Sequence, residues 1–249
     1  MWDSFISLMV NSLLYIYRFV GQDFGLAIIL FTILIRLIIY PLNAQQVKSS
    51  RALQDLQQSK KWKEIQKKYK DDKEKFAQEQ MKLYKEAGVS PFGSCLPTII
   101  QFPIIIGLYQ AIIRSLAVTP LQLFNLSHHL SNSADLIPIN NHFLWMDLSQ
   151  PERLMAFGFG IPVLAIIVVI TTYVQSKLIT PTTPNANDQG AAMSKAMNLY
   201  MPVFMGWLAY SFSSGLALYF VISNLATILQ YALMGKVDWK NLLPKNLKV

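Results

Sequence analysis

Charge is scarce in this chain and cysteine almost absent. Asp, Glu, Lys and Arg make up only 14% of its 249 residues, against 53% hydrophobic, a balance outside that of ordinary soluble domains. The one cysteine, Cys95, excludes an internal disulfide, leaves the redox compartment unreadable, and lies too far along the chain to be a lipoprotein anchor. Carboxylates are missing where they would matter most. Asp3, Asp23, Asp55, Glu64, Asp71, Asp72, Glu74, Glu79, Glu86, Asp135, Asp147, Glu152, Asp188 and Asp238 all fall outside the apolar runs or at their edges. There is no HExxH, no intramembrane Asp pair or Ser–His pair, no base beside Cys95 and no glycine-rich phosphate loop, so proteolysis and nucleotide-driven chemistry lack their residues. His128-His129, with His142 nearby, lacks the i, i+4 spacing of a helical metal site. Neither a metal nor a cofactor is expected.

What the chain does have is long apolar runs. Phe24–Leu42, Cys95–Ala117, Leu154–Val174, Met197–Phe212 and Gly215–Met234 are candidate spans under the rule of about 20 residues per crossing. The fourth is short, and Ser213-Ser214-Gly215 turns it tightly into the fifth, so these two are expected to form an antiparallel hairpin.

Charge then orients the spans. Ala44–Ala87 holds twelve Lys or Arg against seven Asp or Glu, which places it in the cytoplasm. Alternation puts the loop before Met197 and the tail with Lys236, Lys240, Lys245 and Lys248 on the same side, and the N-terminus and the loop Val118–Arg153 outside. Most of the net charge of +8 comes from that one cytoplasmic stretch. No aromatic-interleaved motif accompanies it, so no specific nucleic-acid sequence is expected as a partner.

Ala44–Ala87 reads as two helices. Leu53, Leu56, Ile65 and Tyr69 form a thin apolar stripe that Phe76, Leu83 and Tyr84 continue after a bend at Lys70–Lys73. Gly88 suits the end of the second helix. Such a stripe predicts a projecting, mobile hairpin. At the N-terminus, Trp2, Phe5, Met9, Leu13, Ile16, Tyr17 and Val20 recur at helical spacing among polar residues. An amphipathic helix on the outer membrane surface fits them best. A sixth span or a signal peptide is the alternative.

Arg36 stands inside the first apolar run. A guanidinium does not shed its proton, and at mid-membrane it costs about 2.5–3.5 kcal/mol on insertion scales. At ~1.5 Å per residue it sits ~18 Å from Phe24 and ~9 Å from Leu42, in the inner leaflet. Since no internal acid is available at that depth, Arg36 is expected to face water and to meet an acid brought by a partner. Thr32, Arg36, Tyr40 and Asn43 share one helical face. Gln101, Gln175, Ser223, Asn224, Thr227 and Gln230 add uncharged polar groups on other spans. The bland readings are an arginine snorkelling to the inner headgroups and ordinary interhelical hydrogen bonds. Taken together, these residues predict a polar, hydrated interior.

The segments IRLIIYPL (35–42), MKLYKEAGVSP (81–91), GSCLPTIIQFPIIIGLY (93–109), MNLYMPVFMGW (197–207) and GLALYFVISNLATILQ (215–230), in this order, resemble the YidC/Oxa membrane protein insertases in their short bacterial form. The resemblance covers nearly everything from Phe24 to Gln230. It implies an insertase without covalent chemistry that moves newly made proteins into the bilayer, alone or with the Sec translocon. It also implies a hydrophilic groove open to cytoplasm and lipid but closed outside. Arg36 takes the place of the family's groove arginine, and Gln175 and Trp207 resemble other groove positions. Thr32, Gln101, Asn224 and Thr227 complete the expected groove. Phe102 and Pro103, then Met201 and Pro202, match stretches that contact substrate, and Tyr219 and Phe220 are assigned to the same apolar slide. Phe102 stands where methionine is frequent. Nascent membrane proteins and lipid are the implied partners, with the ribosome, the signal-recognition pathway and the Sec translocon as candidates.

The expected fold is an all-α integral membrane protein of the bacterial plasma membrane. Five transmembrane helices surround an inner-leaflet groove, with a cytoplasmic helical hairpin and an N-terminal amphipathic helix. The segments are an outer-surface helix (1–23), a span (24–43), the cytoplasmic hairpin (44–90), a span (91–117), an extracytoplasmic loop (118–153), a span (154–177), a cytoplasmic loop (178–196), a transmembrane hairpin (197–234) and a basic cytoplasmic tail (235–249). Two other classes compete with insertion: a small-anion transporter that uses Arg36 as its binding charge, which would want repeats or broken spans, and a structural assembly factor.

Overall fold

A turn built on two left-handed residues sets the first element against the second. Helix α1 (Trp2–Phe19) ends at Gly21, with φ +77°, and Gln22, with φ +64°. The Gln22 amide donates back to the Tyr17 carbonyl at 3.0 Å. Asp23 then opens α2 (Phe24–Gln58) by accepting the Leu26 amide on its side chain at 2.9 Å, which satisfies one of the otherwise unpaired donors of a first helical turn.

The computed structural model describes residues 2–69, 72–88, 96–116, 139–156, 159–179 and 189–235. After α2 come α3 (Lys60–Lys68), α4 (Lys73–Glu86) and α5 (Leu96–Ser115). Two small antiparallel hairpins follow. β1 (His142–Phe143) pairs with β2 (Met146–Asp147), His142 opposite Asp147. β3 (Leu154–Ala156) pairs with β4 (Phe159–Ile161), Leu154 opposite Ile161. Then come α6 (Val163–Ile179), α7 (Gln189–Ser211) and α8 (Ser214–Leu233). The chain forms two units, one of Met1–Ile38, Ile104–Thr180 and Lys195–Val249, the other of Ile39–Pro103 and Pro181–Ser194.

The first unit is a helical bundle with α8 as its most buried helix. Leu216 to Val221 along its first half are all buried, and α6 packs along it. Ile6, Leu13 and Leu14 of α1, Phe24 and Ile28 of α2, Leu108 and Ile112 of α5, and Val168 of α6 complete the core. Small residues let backbones close in, the usual device where lipid removes the hydrophobic drive between helices. A Cβ on Gly206 of α7 would lie 2.2 Å from Val169 Cγ2 of α6. One on Gly107 of α5 would lie 2.6 Å from Met9 Sδ of α1. Outward, α2 exposes Leu26, Ile33, Leu34, Leu37 and Ile38, an apolar face of the kind that marks an interaction or membrane surface. Among the described residues, α2 and α8 are long and apolar enough to cross a bilayer, and α6 carries the shorter apolar stretch Val163–Leu178.

The second unit holds the helical hairpin. Ser59 caps α3 by accepting the Trp62 amide at 3.3 Å, and Asp72 caps α4 through the Lys75 amide at 3.1 Å. Gly88, at φ +63°, follows the last turn of α4. Trp62, Leu83 and Tyr84 are buried together, with Leu53, Leu56, Ile65 and Phe76 around them. Trp62 meets Phe76 edge-on at 6.0 Å and Tyr84 at 5.8 Å. The apolar stripe expected along this hairpin left Trp62 out, although Trp62 is its centre. One indole buries more apolar surface than any of the aliphatic residues counted.

Three element boundaries differ from those expected. Helix α2 does not end near Asn43 but runs through Pro41 to Gln58. A proline deletes one hydrogen bond and kinks a helix, and the Ala-, Gln-, Lys- and Leu-rich sequence beyond it is strongly helix-forming. Leu154–Ile161, read as the opening of a span, is the β3–β4 hairpin instead, and α6 starts only after Pro162. Gly158, Gly160 and Pro162 are poor helix residues at this spacing, whereas proline is favoured at a helix start. Helix α7 begins at Gln189, within the stretch expected to be loop up to 196. The outer-loop histidines His128 and His129, and Cys95, lie outside the described residues.

Candidate functional site

Two helices that run in step create the site. Gly215 of α8 approaches Ile28 of α2 so closely that a Cβ there would lie 3.3 Å from Ile28 Cδ1. The same number of residues further along both helices, Arg36 Nη2 donates to Ser223 Oγ. At 1.5 Å per residue the contact lies about 12 Å below the close approach, well inside the bundle. Two turns beyond Ser223, Gln230 Nε2 donates to the Arg36 carbonyl at 3.1 Å. Among the described residues no carboxylate is within ion-pair reach of Arg36.

Polar groups continue along α8 and across to α6. Thr227 Oγ1 returns to the Ser223 carbonyl at 2.8 Å. Asn224 Nδ2 donates to Thr172 Oγ1 at 2.8 Å and to Thr171 Oγ1 at 3.1 Å, joining α8 to α6. One turn on from Thr171, Gln175 Oε1 is buried and accepts no hydrogen bond, an uncommon state for a buried polar atom. Ser176 Oγ donates to Asn198 Oδ1 of α7. This set can hold water and solvate an anionic group. Among the described residues no three His, Cys, Asp or Glu side chains gather as a metal site would require.

Thr32 and Trp207, both expected in the groove, lie in opposite environments. Thr32 is fully buried, and its hydroxyl is spent on the Ile28 carbonyl of its own helix at 2.6 Å. Trp207 is exposed on an outward face of α7 with Leu199, Tyr200, Val203 and Phe204. It stacks on Phe204 with ring centroids 6.1 Å apart. Of the expected slide, Phe102 and Pro103 are exposed and Met201 is half-buried. Tyr219 and Phe220 are instead packed into the core, 1% and 6% exposed, and Pro202 is buried too. Aromatics in that position cannot touch a passing segment unless the bundle opens. Gln101 is half-buried and already partnered.

Ser223 and Gln230 matter more than the sequence made evident. Each reads as one polar residue on an apolar helix. The available signal was their shared face with Thr227, at i, i+4 and i+7, the pattern also seen around Arg36. Glu152 gave no such signal. It is 8% exposed, accepts Trp145 Nε1 at 3.1 Å on one oxygen, and caps α6 by taking the Leu164 amide at 3.0 Å on the other.

The loop before Glu152 closes the bundle at the same end. The Ser214 and Gly215 amides that open α8 donate to the Gln150 carbonyl at 2.7 Å and the Leu148 carbonyl at 3.1 Å. Ser214 Oγ donates to the Asp147 carbonyl at 2.6 Å. A Cβ on Gly25 of α2 would lie 2.1 Å from the Phe143 ring, so Phe143 rests directly on that backbone.

Residues 15–240 match the 60Kd inner membrane protein family. The chain is 36% identical over 223 residues to the membrane protein insertase YidC of Oceanobacillus iheyensis, covering 87% of this chain and 76% of that one. It is 34% identical over 244 residues to the membrane protein insertase MisCA of Bacillus subtilis, covering 96% and 81%. Among solved structures, the crystal structure of an active YidC insertase with its first transmembrane domain resolved matches with a TM-score of 0.59 at 27% identity. The match covers 94% of this chain and 46% of that one. The chain therefore spans a little under half the length of that protein, and shares its mostly helical fold.

Proposed function

This chain belongs to the 60Kd inner membrane protein family, and from that premise we propose that it inserts newly made proteins into the bacterial plasma membrane without covalent chemistry. The observation that carries the reading is Arg36: a permanent cation inside an apolar bundle, held by Ser223 with no described acid in ion-pair reach. A translocated tail that carries an acidic residue supplies the missing charge. Attraction between the two is several-fold stronger at a low effective dielectric than in water. The substrate's apolar segment then leaves for lipid, driven by about 25 cal/mol per Å² of apolar surface removed from water.

The finer architecture follows from the same reading. Five spans cross the membrane, with α2, α5, α6, α7 and α8 as their helices, the N-terminus outside and the C-terminus inside. The Arg36 cluster with Gln175, Asn224 and Thr227 is a groove wetted from the cytoplasm. Apolar substrate segments slide on the exposed α7 face with Trp207, and Phe102 and Pro103 are separate contact points for them. The hairpin of α3 and α4 receives substrates, and the ribosome, the signal-recognition pathway and the Sec translocon are its proposed partners.

Reconstitution tests this directly. The purified protein in liposomes is expected to insert a small single-span protein with an acidic translocated tail, with nothing else added. Arg36→Ala is expected to lower that rate several-fold, and Arg36→Lys to retain much of it, because a point charge suffices where water is the main solvent. Equal rates with wild type and Arg36→Ala would remove the electrostatic step from the mechanism.

A further inference from the structure

At the end of the bundle where α2, α6 and α8 begin, the chain places a leucine where leucine fits badly. The β1–β2 connection is the two-residue turn Leu144-Trp145. Leu144 adopts φ +55°, a left-handed conformation that glycine and asparagine take readily and branched L-residues rarely do. It is also 74% exposed. Either of those turn residues would be less strained here and more soluble. Beside it, Trp145 is half exposed while its indole N–H is tied to Glu152. On the adjoining hairpin Met155 is 79% exposed, with Leu154 and Ile161 paired next to it.

The segment around these residues is tied to helix ends at one level of the molecule. Tyr17 of α1 accepts the Asn140 amide at 3.1 Å. Phe143 lies on Gly25 at the start of α2. Glu152 caps the start of α6, and Leu148 and Gln150 receive the first amides of α8. The level at which apolar helices begin is the level of the membrane surface. An amphipathic indole and a neighbouring arginine, Arg153 over the Tyr210 ring at 5.6 Å, suit the boundary between headgroups and acyl chains.

We propose that the turn Leu144-Trp145, together with Met155, is a lipid anchor that enters the headgroup and upper acyl region of the outer leaflet. The inference rests on the membrane reading given above. Its occupant is lipid, because the cluster sits where the spans start and combines exposed apolar tips, a tethered indole and a cation. Glu152 is its positioning residue, since one carboxylate fixes both Trp145 and the first turn of α6.

The protein with Cys95→Ser, carrying a spin label at Leu144→Cys or at Met155→Cys, is reconstituted in phosphatidylcholine–phosphatidylglycerol vesicles. Power-saturation EPR then compares access by oxygen and by a water-soluble nickel chelate. Labels at Ile170→Cys, on the exposed middle of α6, and at Lys63→Cys, on the hairpin, mark acyl core and water. Labels at 144 and 155 are expected to fall between the two, closer to the Ile170 label than to the Lys63 label. Either label on its own decides the matter should the other variant fold poorly. Nickel access equal to that at Lys63, with Ile170 still in lipid, would overturn the anchor alone. Protection from both reagents would overturn it in favour of a second copy of the chain. Nickel access at Ile170 would bring down the membrane reading and the anchor together.

Discussion

Gln230 reaches from α8 to the backbone carbonyl of Arg36, 3.1 Å away. The contact falls just before Pro41, whose ring leaves the Leu37 carbonyl of the same helix without its usual donor. A side-chain amide from the neighbouring helix thus holds the backbone that carries the guanidinium, one residue before the carbonyl that Pro41 leaves unpaired. Gln230→Leu is expected to lower stability by about 0.6 kcal/mol, the mean for interhelical hydrogen bonds in membranes. It should also slow insertion of acidic-tailed substrates by less than Arg36→Ala does. Unfolding in bicelles and the liposome assay measure the two effects. An unchanged insertion rate combined with full loss of stability would make Gln230 a packing residue only.

Solvent access is expected to be one-sided. A cysteine at Gln175, whose buried oxygen lacks a partner, should react with a membrane-impermeant maleimide supplied from the cytoplasmic side and not from outside. A cysteine at Thr32, fully buried against Ile28, should react from neither. Labelling of Gln175→Cys from both sides would mean a channel rather than a groove.

Gly206 has no room for a side chain, because Val169 Cγ2 occupies the position its Cβ would meet. Gly206→Ala should therefore destabilise the α6–α7 contact, within the roughly 1–3 kcal/mol typical of overpacking. The double variant Gly206→Ala with Val169→Ala should recover part of that loss. Thermal unfolding of the four proteins as a cycle reads the coupling, and strict additivity would contradict the close approach.

The hairpin carries a pH dependence of known sign. The Lys75 amide, and then its side chain, hold the Asp72 carboxyl below its ordinary range. A depressed carboxyl contributes stability above its unfolded value, and that stability is lost as the pH falls through its lowered folded value. Amide protection in the first turn of α4 is therefore expected to weaken on acidification below the ordinary aspartate range. In Asp72→Ala it should be weak already at neutral pH and insensitive to acid. Equal acid sensitivity in both proteins would assign the effect to other groups.

The sequence made the helical character and Arg36 legible, because a charge inside an apolar run and a missing counter-charge are both properties of composition. The end of α4 was legible too, because Gly88, at φ +63°, is a local signal. The β3–β4 hairpin was not. Leu154–Ile161 is apolar enough for a helix, and only pairing across a turn distinguishes the two. The burial of Tyr219 and Phe220 is not legible either, because hydropathy does not say which side of an all-apolar helix faces its neighbours. The role of Glu152 is invisible in the sequence because its two partners, Trp145 and the start of α6, become neighbours only once the chain has folded.

The starts of α6 and α8 are both capped. A helix start ordinarily presents unpaired amides and a partial positive charge that attracts anions. Here a glutamate covers one start and three loop carbonyls receive the amides and hydroxyl of the other. On the proposed insertion route, an acidic tail that leaves Arg36 would meet no free amides at these two helix starts, so neither start would compete with the guanidinium for it.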